Sequence, residues 1–94
     1  MSREDIEVSH NPEEQRFEVT VDGHLAVLDY TMMDDIIIFR HTGVPAEIEG
    51  GNVGIKLVET GLGYARENGL WVRSRCWFVN KYLKRHPEYQ DLLK

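Results

Sequence analysis

The sequence holds one cysteine, three prolines and no long apolar run. A single thiol excludes an internal disulfide and suits a reducing compartment. Four scattered histidines beside that cysteine offer no metal-ligand spacing, so no metal is expected. No stretch approaches the roughly 18 apolar residues of a membrane span, and the N-terminal MSREDIEV lacks the apolar segment of a secretion signal. A cytoplasmic protein with no membrane partner is expected. Basic residues are also few. Eleven Lys and Arg against sixteen Asp and Glu leave a net charge of −5, which argues against a nucleic-acid partner, because phosphate backbones demand a basic footprint.

What is present fits one domain spanning residues 1–94. Such a chain buries roughly 60–68% of the surface its unfolded form exposes, enough to fold without metal or disulfide. Its 41% hydrophobic and 29% charged content is ordinary for a globular domain. Ile6 to His10 alternates weakly and reads as a short strand, followed by a turn at Asn11-Pro12-Glu13-Glu14. Arg16 to Val21 alternates cleanly, with Phe17, Val19 and Val21 on one face. Asp22-Gly23 predicts a two-residue type I′ turn, returning as a strand from His24 to Thr31. After a turn at Asp34-Asp35, the apolar run Ile36–Phe39 predicts a central strand covered on both faces. His10 and His24 fall on outer strands and read as surface residues.

Then the periodicity changes. Gly54, Val58, Gly61, Leu62 and Ala65 recur at helical spacing from Val53 to Asn68, with Ile55 and Leu57 flanking the stripe. Gly61 implies a helix lying close to the sheet, Gly63 faces outward, and Gly69 ends the helix. Leu70 to Arg75 predicts a strand parallel to the earlier central one, since a long helix and a tight return join the two. Trp77 to Arg85 reads as a short helix with Phe78, Tyr82 and Leu83 inward, stopped by His86-Pro87.

The loop before the long helix is the chemical focus. Gly50, Gly51 and Gly54 let backbone approach a ligand, and Asn52 tolerates left-handed angles. Free N–H groups and the positive helix end favour an anion there. Neither GxGxxG nor GxxxxGK[ST] spacing is present, so a dinucleotide fingerprint and a phosphate-binding P-loop are both excluded. A connection without a ligand is the plain alternative. Cys76 sits between a strand and a helix, where the helix terminus and Arg73 and Arg75 favour a thiolate; it equally reads as a small buried hydrophobe. His41, whose side chain ordinarily titrates near neutral pH, is the candidate base, or else a structural histidine. Lys81, Lys84, Arg85 and His86 form a cationic group, or simply a solvated helix face. Trp71 and Trp77 read as packing residues.

Taken together, His41-Thr42-Gly43-Val44-Pro45, the glycine-rich loop, the long helix, Cys76 and Arg85-His86-Pro87-Glu88-Tyr89 resemble the small single-domain GCN5-related N-acetyltransferase-like proteins, with their HTxVP…RGxGIG/A…C…RHPEY pattern. The likeness runs from about His41 to Leu92. It implies an α/β (α+β) fold: a reduced acyl-CoA N-acyltransferase domain with a mixed, mostly antiparallel sheet, one long helix and a short C-terminal helix. It implies acetyl-CoA as co-substrate, bound through Thr42, Val44, Glu49, Gly50, Gly51, Asn52, Val53, Gly54 and Ile55. Asn80 would meet the pantetheine amides, and Lys81 and Arg85 the coenzyme phosphates. Cys76 and His41 are the implied catalytic residues. The resemblance breaks at the loop, where Glu49 stands for the usual Arg or Gln and Asn52 for a glycine. A carboxylate about 6 Å from a pyrophosphate is unfavourable by roughly 3 kcal/mol per charge pair, or about 1 kcal/mol once solvent screens it. Weakened, not abolished, coenzyme binding is expected. The implied reaction is acetyl transfer to an amine of a small molecule or a protein, directly or through Cys76, by a monomer or weak homodimer. The alternative is a non-catalytic module that binds CoA, acyl-CoA or a protein partner.

Overall fold

Alternation in the first half of the chain becomes a meander, and the computed structural model describes it from residue 6 to residue 94. Residues 1–5, on which much of the leader reading rests, lie outside the described residues. The strands are β1 (Ser9–Asn11), β2 (Arg16–Val21), β3 (His24–Met33), β4 (Ile36–Gly43) and β5 (Trp71–Ser74), in that order across one sheet. β1 to β4 pair antiparallel, and β4 pairs with β5 in parallel. Helix α1 (Val53–Glu67) makes the crossover between β4 and β5, and α2 (Trp77–Arg85) follows β5. Short 3₁₀ segments lie at Ala46–Ile48 and Pro87–Leu92. No helix among the described residues is long and apolar enough to cross a membrane.

Asp22 and Gly23 both take positive φ, 50° and 80°, as the type I′ turn requires. The first strand is displaced from the expected Ile6–His10 to Ser9–Asn11, because Pro12, which cannot donate to a ladder, begins the turn and Asn11 still pairs with Arg16. That register sets His10 opposite Phe17 on the inner face, so His10 is half-buried rather than a free surface residue. Its ring stacks on Phe17 at 4.4 Å, meets Tyr64 edge-on at 4.5 Å, and its Nε2 lies 2.6 Å from the Tyr30 hydroxyl. Partial burial holds its pKa below the usual histidine range.

Inner-face side chains meet across the strands as Phe17 with Leu28, Val19 with Ala26, Tyr30 with Phe39 and Ile37 with Val72; all eight are buried. α1 packs on this face through Val53, Leu57, Val58, Gly61, Leu62 and Ala65. Leu57 therefore belongs to the stripe, while Ile55 is exposed. The expectation that β4 is covered on both faces does not hold along its length. Ile38 is only half-buried, between half-buried Thr31 and exposed Arg73.

Gly61 has no room for a side chain: a Cβ would stand 2.9 Å from the Phe39 ring and 3.1 Å from Leu28. Gly63 meets nothing within 4 Å. Gly63→Ala is thus expected to stabilise the fold by about 1 kcal/mol, read as a rise in Tm of roughly 4–8 °C. At the far end Gly69 (φ 64°) closes α1, with Leu70 N–H on the Ala65 carbonyl (2.9 Å) and Gly69 N–H on Arg66 (3.4 Å), a Schellman arrangement.

α2 buries Val79, Tyr82 and Leu83, with Phe78 half-buried; Val79 was not among the expected inward residues. The RHPEY segment is tied down by α1. Arg66 donates to both Asp91 oxygens (2.9 and 3.0 Å) and to the Glu88 carbonyl (3.0 Å), and lies over the Tyr89 ring. The hydrogen bond from Arg66 holds the Asp91 carboxyl below its ordinary pKa of 3.8. A depressed folded pKa means the contact stabilises above that value and is lost as pH falls through the folded pKa. Asp91→Asn should therefore lower Tm at neutral pH, and the gap to the unmodified chain should close in strong acid. Thermal unfolding across that pH range checks it.

Candidate active site

A cleft of about 380 Å³ opens where β4, the loop after it and the first turns of α1 and α2 converge. Thr42 and Val44 form one wall; Ile48, Glu49, Gly50, Asn52, Val53, Gly54 and Ile55 form the floor and far wall; Trp77 and Phe78 close it. The loop reaches the helix through two left-handed residues, Gly50 at φ 85° and Asn52 at φ 64°. Asn52 occupies the N-cap of α1 but its side chain makes no capping hydrogen bond among the described residues. Helix N-termini of this kind in general favour anions, through their first N–H groups and the helix dipole. Gly54 is needed for a neighbour: a Cβ there would stand 2.9 Å from the Phe78 ring.

Behind Thr42 lies Cys76, 5% exposed, its Sγ 3.2 Å from Thr42 Oγ1. Ser74 fixes the cysteine backbone. Its Oγ accepts the Cys76 N–H and donates to the Cys76 carbonyl, each at 3.2 Å, while Asn80 N–H also donates to that carbonyl at 2.9 Å. The thiol is thereby placed at the N-cap of α2, one side chain away from the cleft.

Of the residues expected to line the coenzyme site, Thr42, Val44, Glu49, Gly50, Asn52, Val53, Gly54 and Ile55 come together in this cleft. Gly51, Asn80, Lys81 and Arg85 are not part of its lining. Lys81 and Arg85 lie exposed on α2, and Asn80 turns to a second cleft beside β5. Trp77 is corrected from packing residue to cleft residue: 72% of it is exposed, and its ring meets Phe78 edge-on at 6.0 Å.

His41 is separated from the thiol by a β-bulge. Asp29 pairs with His41 and Tyr30 with Phe39, so Arg40 is an extra residue on β4. Inner-face residues on β4 therefore switch from odd numbers (Ile37, Phe39) to even ones, and Thr42, opposite Leu28, takes the side that faces Cys76. His41 is left exposed on the other side of β4. The unbroken apolar run Ile36–Phe39 shows no odd–even preference and so carries no signal of this switch. Thr42 as the thiol's partner was missed for the same reason.

Four antiparallel strands with a helical crossover to a parallel β5 make the mixed sheet of a GCN5-related N-acetyltransferase fold. The chain belongs to the GCN5-related N-acetyltransferase family, whose sequence profile matches residues 16–92. It is 31% identical over 90 residues to Protein NATD1 of Gallus gallus, covering 93% of this chain and 82% of that one. Protein NATD1 of Homo sapiens is likewise 31% identical, with 93% and 80% covered. The NMR structure of a GCN5-like protein from Staphylococcus aureus superposes with a TM-score of 0.73 at 33% identity, covering 94% of this chain and 87% of that one.

Proposed function

We propose that the cleft binds acetyl-CoA and that the protein passes the acetyl group to an amine by way of Cys76. The observation that carries this reading is the shared cleft: Thr42 lines the space in front of the α1 N-terminus and also holds the Cys76 sulfur at 3.2 Å. The pyrophosphate would lie on the backbone from Gly50 to Gly54, the pantetheine arm along Thr42 and Val44, and Trp77 and Phe78 would shield the thioester from water. The Cys76 sulfur attacks the acetyl carbonyl; the new S–acetyl bond forms as the bond to the coenzyme sulfur breaks, and the Cys76 proton leaves with the released coenzyme thiol. An amine then attacks the acetyl-cysteine, gives an amide and returns the thiol. The Thr42 hydroxyl is placed to hydrogen-bond the sulfur in both steps. His41, on the far side of β4, has no direct contact in this scheme.

Calorimetric titration with acetyl-CoA at low and moderate salt tests the coenzyme step. Micromolar binding that weakens with salt is the expected result; no binding at millimolar coenzyme would overturn the reading. Glu49 lines the cleft. Glu49→Arg should tighten acetyl-CoA at least about fivefold, the equivalent of about 1 kcal/mol. An unchanged or weaker Kd would show that this carboxylate points away from the pyrophosphate.

A further inference from the structure

A second cleft, of about 520 Å³, lies beside β5 and shares no lining residue with the first. β5 is the outer strand of the sheet, and its far end is taken up by the Lys94 N–H on the Val72 carbonyl at 3.2 Å and by the bridge from Val72 to Leu93. Val72, Arg73 and Ser74 of β5 line the cleft.

The lining divides by chemistry. Apolar surface comes from Met33, Ile38, Leu83 and Leu93, while Arg73, Arg75 and Lys94 supply positive charge and no carboxylate side chain lines the space. In a chain of net charge −5 this gathering of cations is conspicuous. Arg16 and Arg66 each sit on a carboxylate, at 2.7 and 2.9 Å; Arg73 and Arg75 take part in no ion pair among the described residues. Both are exposed and both line this cleft, Arg73 from β5 and Arg75 from the residue just after the strand. Lys94 holds its ammonium 5.4 Å over the Trp71 ring, at the rim. Asn80 and Ser74 add neutral hydrogen-bonding groups.

We propose that this cleft binds an organic anion, a carboxylate or phosphate monoester held by Arg73 and Arg75 with its apolar body against Ile38, Leu83 and Leu93. Two guanidinium groups on one side recognise a planar or tetrahedral anion through charge-assisted hydrogen bonds, which inorganic ions would share. The apolar floor adds affinity only for a ligand that carries a hydrocarbon body. The site stands independently of the acetyl-transfer reading.

The test is amide-shift titration of the ¹⁵N-labelled full chain with octanoate, octyl phosphate and the neutral 1-octanol. At least one anion should give saturable shifts confined to residues 73–75, Asn80 and Leu93, with octanol at least about tenfold weaker. The tighter anion identifies the head group. Arg73→Gln with Arg75→Gln, both on exposed positions, should weaken that anion at least about tenfold with unchanged spectra elsewhere. Saturating acetyl-CoA should leave the anion's Kd unchanged. The proposal is overturned by absence of saturable shifts up to about 10 mM, by equal octanol binding, by an unaffected double variant, or by displacement of the anion by acetyl-CoA.

Discussion

Cys76→Ala is expected to lower acetyl transfer at least about a hundredfold while acetyl-CoA Kd stays within about twofold. Removing one buried sulfur leaves a small void, comparable to deleting a single methylene-sized group, with about 1 kcal/mol of lost stability. The fold should therefore survive, and the loss would belong to chemistry. Two readouts separate the carrier role from a packing role. Incubated with acetyl-CoA and no amine, the unmodified chain should gain the mass of one acetyl group on Cys76, and the variant should not. Thr42→Val, which keeps the side-chain shape but removes the hydroxyl facing the sulfur, should slow transfer about tenfold with coenzyme binding little changed. Full turnover by Cys76→Ala would rule out the acetyl-cysteine route and leave direct transfer. The same assay on His41→Ala should show less than about a tenfold effect, because the bulge at Arg40 turns that side chain away from the thiol.

Gly61→Val is expected to be the most damaging single change to stability. Its first atom alone would overlap Phe39 at 2.9 Å and Leu28 at 3.1 Å, two fully buried side chains with no space to retreat. Forcing α1 away from the sheet should cost about 3 kcal/mol, far more than the few tenths regained by leaving glycine in a helix. In a domain of this size that predicts a Tm lowered by roughly 12–24 °C. Thermal unfolding measured beside Gly63→Ala makes the comparison internal: two glycines two residues apart on one helix, with opposite signs. Equal effects would mean that α1 does not lie this close to β3 and β4.

Local chemistry made much of the fold legible. Asp22-Gly23 has one favourable hairpin geometry, Gly69 one favourable place at a helix end, and α1 and α2 start within the sequence intervals that their periodicity defined. The glycine loop was legible as a left-handed connection because its conformational signal lies in six consecutive residues, Glu49 to Gly54, five of which line the first cleft. The C-terminal motif was harder. Its cations read in sequence either as phosphate ligands or as a solvated helix face; in the fold Arg66, Asp91 and Tyr89 fasten the segment to α1, and Lys81 and Arg85 lie exposed outside the cleft lining.

The sequence by itself determined the meander, the strand–helix–strand crossover, the left-handed loop before α1 and the close seat of Gly61. Each depends on residues near one another in the chain, where propensity and periodicity act directly. The tertiary structure alone decided which side chain faces Cys76. One extra residue in the β3–β4 ladder reverses the facing of everything after it, and no propensity of Arg40 announces that slip. It also decided that Trp77 borders a cleft and that Arg73, Arg75 and Lys94 share another. The first cleft joins residues 42–55 to Trp77 and Phe78, and the second joins Met33 and Ile38 to residues 72–94, segments that meet only once β4 and β5 have paired in parallel.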